Sequence, residues 1–188
     1  MKSNLMIRQM KLKTHLLNVK RGIPFMAFLF ICTINAGYSQ ETAYANPSQV
    51  RYVKVPAGYL MVLRQGDSLL IELEKFVKQE KIPSANFTGM GFVNMEFGFY
   101  NAKTKKFDPK EFKGVELASM NGTIATQKGK VSIHAHGVVT DKKFNAFGGH
   151  ILSATVGTGS IEILVTVHDR PFERILDEEL GANVLEIK

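Results

Sequence analysis

The chain has 188 residues, 24 Lys+Arg against 17 Asp+Glu, one cysteine and no tryptophan. Six of the basic residues and none of the acidic ones precede Gln40, so the formal net charge of +7 shrinks to 18 basic against 17 acidic groups from Gln40 onward. That near balance excludes a nucleic-acid surface built on charge alone, and a lone cysteine excludes a disulfide framework within the chain.

Residues 1–39 read as a secretory signal peptide. Lys2, Arg8, Lys11, Lys13, Lys20 and Arg21 precede a twelve-residue apolar run, 23–34, short of the roughly twenty residues that a membrane-spanning helix needs. Cleavage is expected after Gly37-Tyr38-Ser39 (39/40) or after Ala43-Tyr44-Ala45 (45/46), and Met10 offers a second start. Cys32 follows the large residues Phe30 and Ile31, so it does not read as a lipidation site, and His15 belongs to the same segment. The expectation is export to a bacterial periplasm with no stable membrane insertion after cleavage. Residues 40–49 read as a flexible lead-in and 50–188 as one domain.

Strands are predicted over 51–55 and 59–64, around the turn Pro56-Ala57-Gly58. A helix opens at Gly66-Asp67-Ser68, with Asp67 or Ser68 as N-cap. It carries Leu69, Leu70, Leu73, Phe76 and Val77 on one face and ends at Ile82-Pro83. Strands follow at 87–93 and 95–101. Their glycines, Gly89, Gly91 and Gly98, read as bulges, because neither a helix nor Gly-Lys-Ser/Thr follows to make a phosphate loop. Lys103, Lys105, Lys106, Lys110 and Lys113, interrupted by Asp108 and Glu111, read as a solvated loop. Further strands are predicted at 115–120, 123–127, 131–140, 151–156 and 161–167, the last two joined by the turn GTGS. A short helical turn at 172–176 and a strand at 184–187 close the chain. One main helix among many short strands gives an α+β domain, mostly antiparallel sheet.

Three of the five histidines fall between Val131 and Leu152. His134 and His136 alternate on a strand and so share a face, about 7 Å apart along it. Gly148-Gly149 delivers His150 at the start of the next apolar strand, with freedom for positive φ and close backbone approach. Three imidazoles so placed form a facial ligand set for Zn²⁺ or a similar metal. A strand histidine is more often a surface or core residue, and the Gly-Gly-His companion is what sets this group apart.

The same residues carry a resemblance. HAHGVV followed by GGHIL, with VELASMNGTIA and MGFVNMEFGFYN before them and SIEILVTV after, resembles the PPC (plants and prokaryotes conserved) domain over about residues 50–188. The resemblance implies a compact domain around an antiparallel sheet, commonly a homotrimer, with His134, His136 and His150 on a metal usually taken to be zinc. Glu116, Ser119 and Gly122 match the family pattern Glu-x-x-Ser-Leu-x-Gly, with Met120 in the leucine place. Glu116 is then a base, a partner that orients a metal ligand, or a surface residue. Arg64 resembles a family arginine that meets an anionic ligand or forms a structural ion pair. His168, beside Asp169 and Arg170, reads as part of a turn with local ion pairing. The plant members add an Arg-Gly-Arg segment for the DNA minor groove; this chain has only Arg21-Gly22, in the signal segment.

Three functions are therefore carried forward. The first is an exported zinc-binding domain whose open coordination position takes water or a small anionic ligand. The second is a DNA-binding protein, as the family is described. The third is a structural trimer without catalysis. No general base stands out, so no enzymatic activity is assigned.

Overall fold

The computed structural model describes residues 50–187, all within one compact unit; the expected signal segment, with Cys32 and His15, and the expected lead-in before Val50 lie outside the described residues. Strand alternation builds the first elements. β1 (Tyr52–Val55) pairs antiparallel with β2 (Gly58–Arg64), where Tyr59, Met61 and Leu63 are buried and Leu60 and Arg64 face solvent. Helix α1 (Leu69–Glu80) buries Leu69, Leu73, Phe76 and Val77, the face expected from the spacing. It ends where Lys81 turns into the left-handed region at φ 53° and returns its N–H to Val77 O, with Pro83 beyond.

The N-cap departs from expectation. Ser68 takes the cap position but makes no side-chain cap bond. The Asp67 carboxylate is buried and accepts instead from Arg51 Nε at 2.6 Å and from the Arg64 N–H at 2.8 Å. At the other end of the helix, Glu80 accepts from the hydroxyls of Tyr52 at 2.7 Å and Tyr59 at 2.9 Å.

The remaining strands are longer than the sequence suggests. They are β3 (Ala85–Asn101), β4 (Lys106–Gln127), β5 (Lys130–Thr140), β6 (Ala146–Val167), β7 (Glu173–Asp177) and β8 (Ala182–Glu186). The two strands expected over 87–101 are one, carrying register shifts at Gly89/Gly91 and Val93/Met95. The expected lysine loop is half strand: Lys106, Lys110 and Lys113 lie in β4, exposed, opposite β3. GTGS does not turn the chain. It sits inside β6, where Gly91 pairs Ile161 and Val93 pairs Val156, so the extra residues bulge out of a continuous strand. The helical turn expected at 172–176 is β7, held by five pairs to β8.

The sheet order is β1-β2-β6-β3-β4-β7-β8, and β5 pairs both β4 and β6. β3, β4, β5 and β6 thus close a circuit of pairings. The core fills from β2, α1 and the inward residues of that circuit, including Phe87, Met120, Val139, Ile151 and Ile163. None of the helices among the described residues is long and apolar enough to cross a membrane.

Candidate metal centre

Alternation in β5 buries Ala135 and Val139 and leaves His134 and His136 on the opposite face. His136 stands directly across from His150 on β6, and His150 is also paired with Gly98 of β3. The site therefore lies where β5 meets β6, at one join of the closed circuit. Two close approaches make it. A Cβ on Gly148 would sit 2.8 Å from Gly137 O, so β6 can run against β5 only with glycine there. Gly148 and Gly149 supply this approach without positive φ, which the sequence reading had also allowed for. On the other side of β5, a Cβ on Gly122 would lie 2.1 Å from Phe87 Cζ and 2.8 Å from His134 O.

The three rings form a near-equilateral group. Centroids are 5.1 Å apart for His134–His136, 5.0 Å for His134–His150 and 5.3 Å for His136–His150. One nitrogen from each lies within 4.8 Å of the others, so all three can face one point. His150 is braced by Phe107, stacked at 4.5 Å with the planes 16° apart. Gly98 leaves the room for this, since a Cβ there would meet Phe107 at 2.9 Å.

Electrostatics keeps two of the rings in the ligand form. Burial pushes His150 down to about 4, helped by His134, His136 and Arg174. Burial and then Arg174 and His136 push His134 below its ordinary value. Neutral imidazole is the species that binds a metal.

The histidines open onto a cavity of about 790 Å³, walled by the β3–β4 hairpin and by β7 and β8. Its lining includes Tyr100, Phe107, Ile133, Val184 and Arg174 and, among the described residues, no Asp or Glu. Glu116 and Arg64 are not in it. Glu116 is exposed beside Thr140, whose hydroxyl is 3.5 Å from the carboxylate, and lines a separate cleft with Met90, Phe92 and Glu162. Arg64, opposite Ser160, is exposed at the end of β2. His168 is set against Phe172, with Arg170 and Asp169 at 4.0 Å, the local turn expected. Arg174 and Phe107 were not foreseen. Each is distant in sequence from the histidines and sits in a stretch that reads as ordinary polar chain.

The model of the Plants and Prokaryotes Conserved (PCC) domain matches residues 50–169. A candidate DNA-binding protein from Ralstonia eutropha JMP134 is 53% identical, with a TM-score of 0.72 over 73% of this chain and 96% of that one. A plant- and prokaryote-conserved protein from Pyrococcus horikoshii is 27% identical, with a TM-score of 0.62 over 69% and 92%. A metal-containing protein from Archaeoglobus fulgidus is 26% identical, with a TM-score of 0.63 over 74% and 99%. None of the curated proteins matches.

Proposed function

We propose that this chain, which belongs to the Plants and Prokaryotes Conserved (PCC) domain family, holds a zinc ion on His134, His136 and His150 and keeps one coordination position open to the cavity. The observation that carries the reading is the ring geometry: two imidazoles on one face of β5 and a third directly across from one of them on β6, each able to offer a nitrogen to one point. The donor set fits, since three nitrogens with no carboxylate suit Zn²⁺ better than Mg²⁺ or Ca²⁺. A similar protein described as metal-containing adds support. Bound there, such an ion would act as a Lewis acid toward whatever occupies the open position. His134, His136 and His150 would hold the ion, and Phe107 braces the His150 ring. Metal content measured on the purified protein tests the reading: about one equivalent per chain is expected, lost in His136→Ala with the fold retained. Wild-type protein that takes up no metal overturns it.

The reading extends to an exported protein, on the strength of the six basic residues and the apolar run before Gln40. N-terminal sequencing of periplasmic material should begin between Gln40 and Asn46; an intact Met1 or Met10 on cytoplasmic protein overturns that part.

DNA binding is the second reading, favoured by the description of the similar Ralstonia eutropha protein. With near-balanced charge beyond residue 39, the domain should bind duplex DNA only in the non-specific range of about 10⁻⁴ to 10⁻⁶ M at physiological salt. Submicromolar, sequence-dependent binding would establish the second reading over the first.

A further inference from the structure

Among the described residues, Arg174 is the one charged residue in the cavity wall that is out of water. It is 6% exposed, yet it enters no ion pair among the described residues. Its Nη2 donates to Thr123 Oγ1, and its Nε is buried with no hydrogen-bond partner. A guanidinium keeps its proton in a protein, so burial cannot be relieved by neutralisation as it could for a lysine. An unpaired buried cation is costly and is ordinarily matched by a carboxylate or phosphate. Among the described residues, no acid lines this cavity to provide one. The hairpin that presents Arg174, β7 with β8, lies beyond residue 169 and so outside the matched family region.

The missing partner is the size of a ligand. The cavity's volume of about 790 Å³ falls in the range of sites for small organic molecules, roughly 300–1,000 Å³. Apart from the histidines, Lys105, Ser132 and Asn183, its wall is apolar and aromatic, with Phe99, Tyr100, Phe107, Ile133 and Val184. Lys105, the other cation there, is engaged, its ammonium donating to Glu178 O at 3.0 Å and Glu179 O at 3.4 Å. A phosphate site would gather several free cationic donors; here Arg174, with Nη2 already on Thr123, stands among apolar and aromatic lining residues.

We propose that the cavity binds a small organic carboxylate, with the carboxylate on Arg174 and the rest of the molecule against the aromatic wall, reaching the histidine cluster. The position of its far end rests on the zinc reading; the pairing with Arg174 does not. Benzoate is the probe, with benzamide as its neutral counterpart of the same shape and inorganic phosphate as the competing anion. Each is titrated calorimetrically into the zinc-loaded and the metal-stripped protein, for wild type and Arg174→Gln, with metal content measured on the same samples. Benzoate should bind wild type roughly ten- to a hundredfold more tightly than benzamide does, and lose about as much in Arg174→Gln, while zinc content is unchanged. Equal affinity for benzoate and benzamide, or an Arg174→Gln protein that binds benzoate like wild type, overturns the proposal. Phosphate binding more tightly than benzoate overturns the carboxylate class. If wild type takes up no zinc, the metal reading falls and the metal-stripped titration alone decides: benzoate binding that depends on Arg174 upholds this site, and its absence overturns it. Should Arg174→Gln fail to fold, NMR of wild type replaces it. Benzoate should shift one arginine Nε–H resonance, the one absent from Arg174→Lys, and an unmoved resonance overturns the proposal.

Discussion

His150 shows how one residue's surroundings set its chemistry. The Phe107 ring, stacked at 4.5 Å, and the neighbouring histidines take water away from it, and the proton becomes hard to hold. In the unfolded chain the same side chain titrates near 6.5. Between 6.5 and about 4 the unfolded chain binds a proton that the fold refuses, so stability falls as pH drops through that window and is fully present above it. His134 acts in the same direction. For metal-stripped protein, urea unfolding at pH 7.5 and at pH 4.5 should differ by about 1 kcal/mol from these half-buried rings, after discounting for solvent screening. His150→Gln should flatten the difference; a difference equally large in that variant would refute the assignment. Glu80 contributes only lower down, because its two tyrosine donors hold it below the usual carboxylate value. The histidine group was legible in the sequence because strand alternation fixes faces and because Gly-Gly announces a close approach. Arg174 was not legible. In β7 the charged residue points in while Ile175 and Leu176 face solvent, the reverse of the pattern from which burial is read.

At the scale of elements, the turn between β2 and α1 is held from both sides by one carboxylate. Asp67 joins Arg51, ahead of β1, to the backbone at the end of β2, and its own backbone pairs with Val156 of β6. Both charges are largely out of water, at 12% and 7% exposed. Removing one partner of such a pair leaves the other's desolvation uncompensated, at a cost of about 3 kcal/mol or more. Asp67→Ala should lower the unfolding free energy by that amount, read as a lower urea midpoint with little change in slope, and Asp67→Asn by less; a loss under about 1 kcal/mol would show that the carboxylate is replaceable by water. The sequence named Asp67 but gave it a different task. A capping residue and a buried ion-pair acceptor look alike until the partner, 16 residues away, is known. The same limit explains the strands. Gly157 and Gly159 look like a chain break, and only the partner strand shows that β6 continues through them as a bulge.

For the molecule as a whole, one helix cannot cover eight strands. The uncovered side of the sheet exposes Met90 at 57%, Phe92 at 41% and Leu164 at 38%. Met90 and Phe92 alternate on β3, and Leu164 pairs with the adjacent Thr88, so the three share one neighbourhood beside the cleft that holds Glu116. Apolar residues gathered on a strand face in this way mark a surface that another chain covers, and closed symmetry is the usual way identical chains do so. The resemblance to the PPC domain implies a trimer, and we propose that this face is part of its interface. Light scattering should then give three times the mass of the mature chain. Phe92→Glu, which puts a charge where a partner must be desolvated, should give monomers that keep both fold and metal. His136→Ala separates the functions carried by the two regions. If the histidines serve metal chemistry, this variant loses metal and remains a trimer. If they exist to hold the assembly together, it loses metal and mass at once, and the domain is a structural trimer. A wild-type protein that is monomeric across the concentration range removes the interface altogether and leaves the exposed face for a different chain.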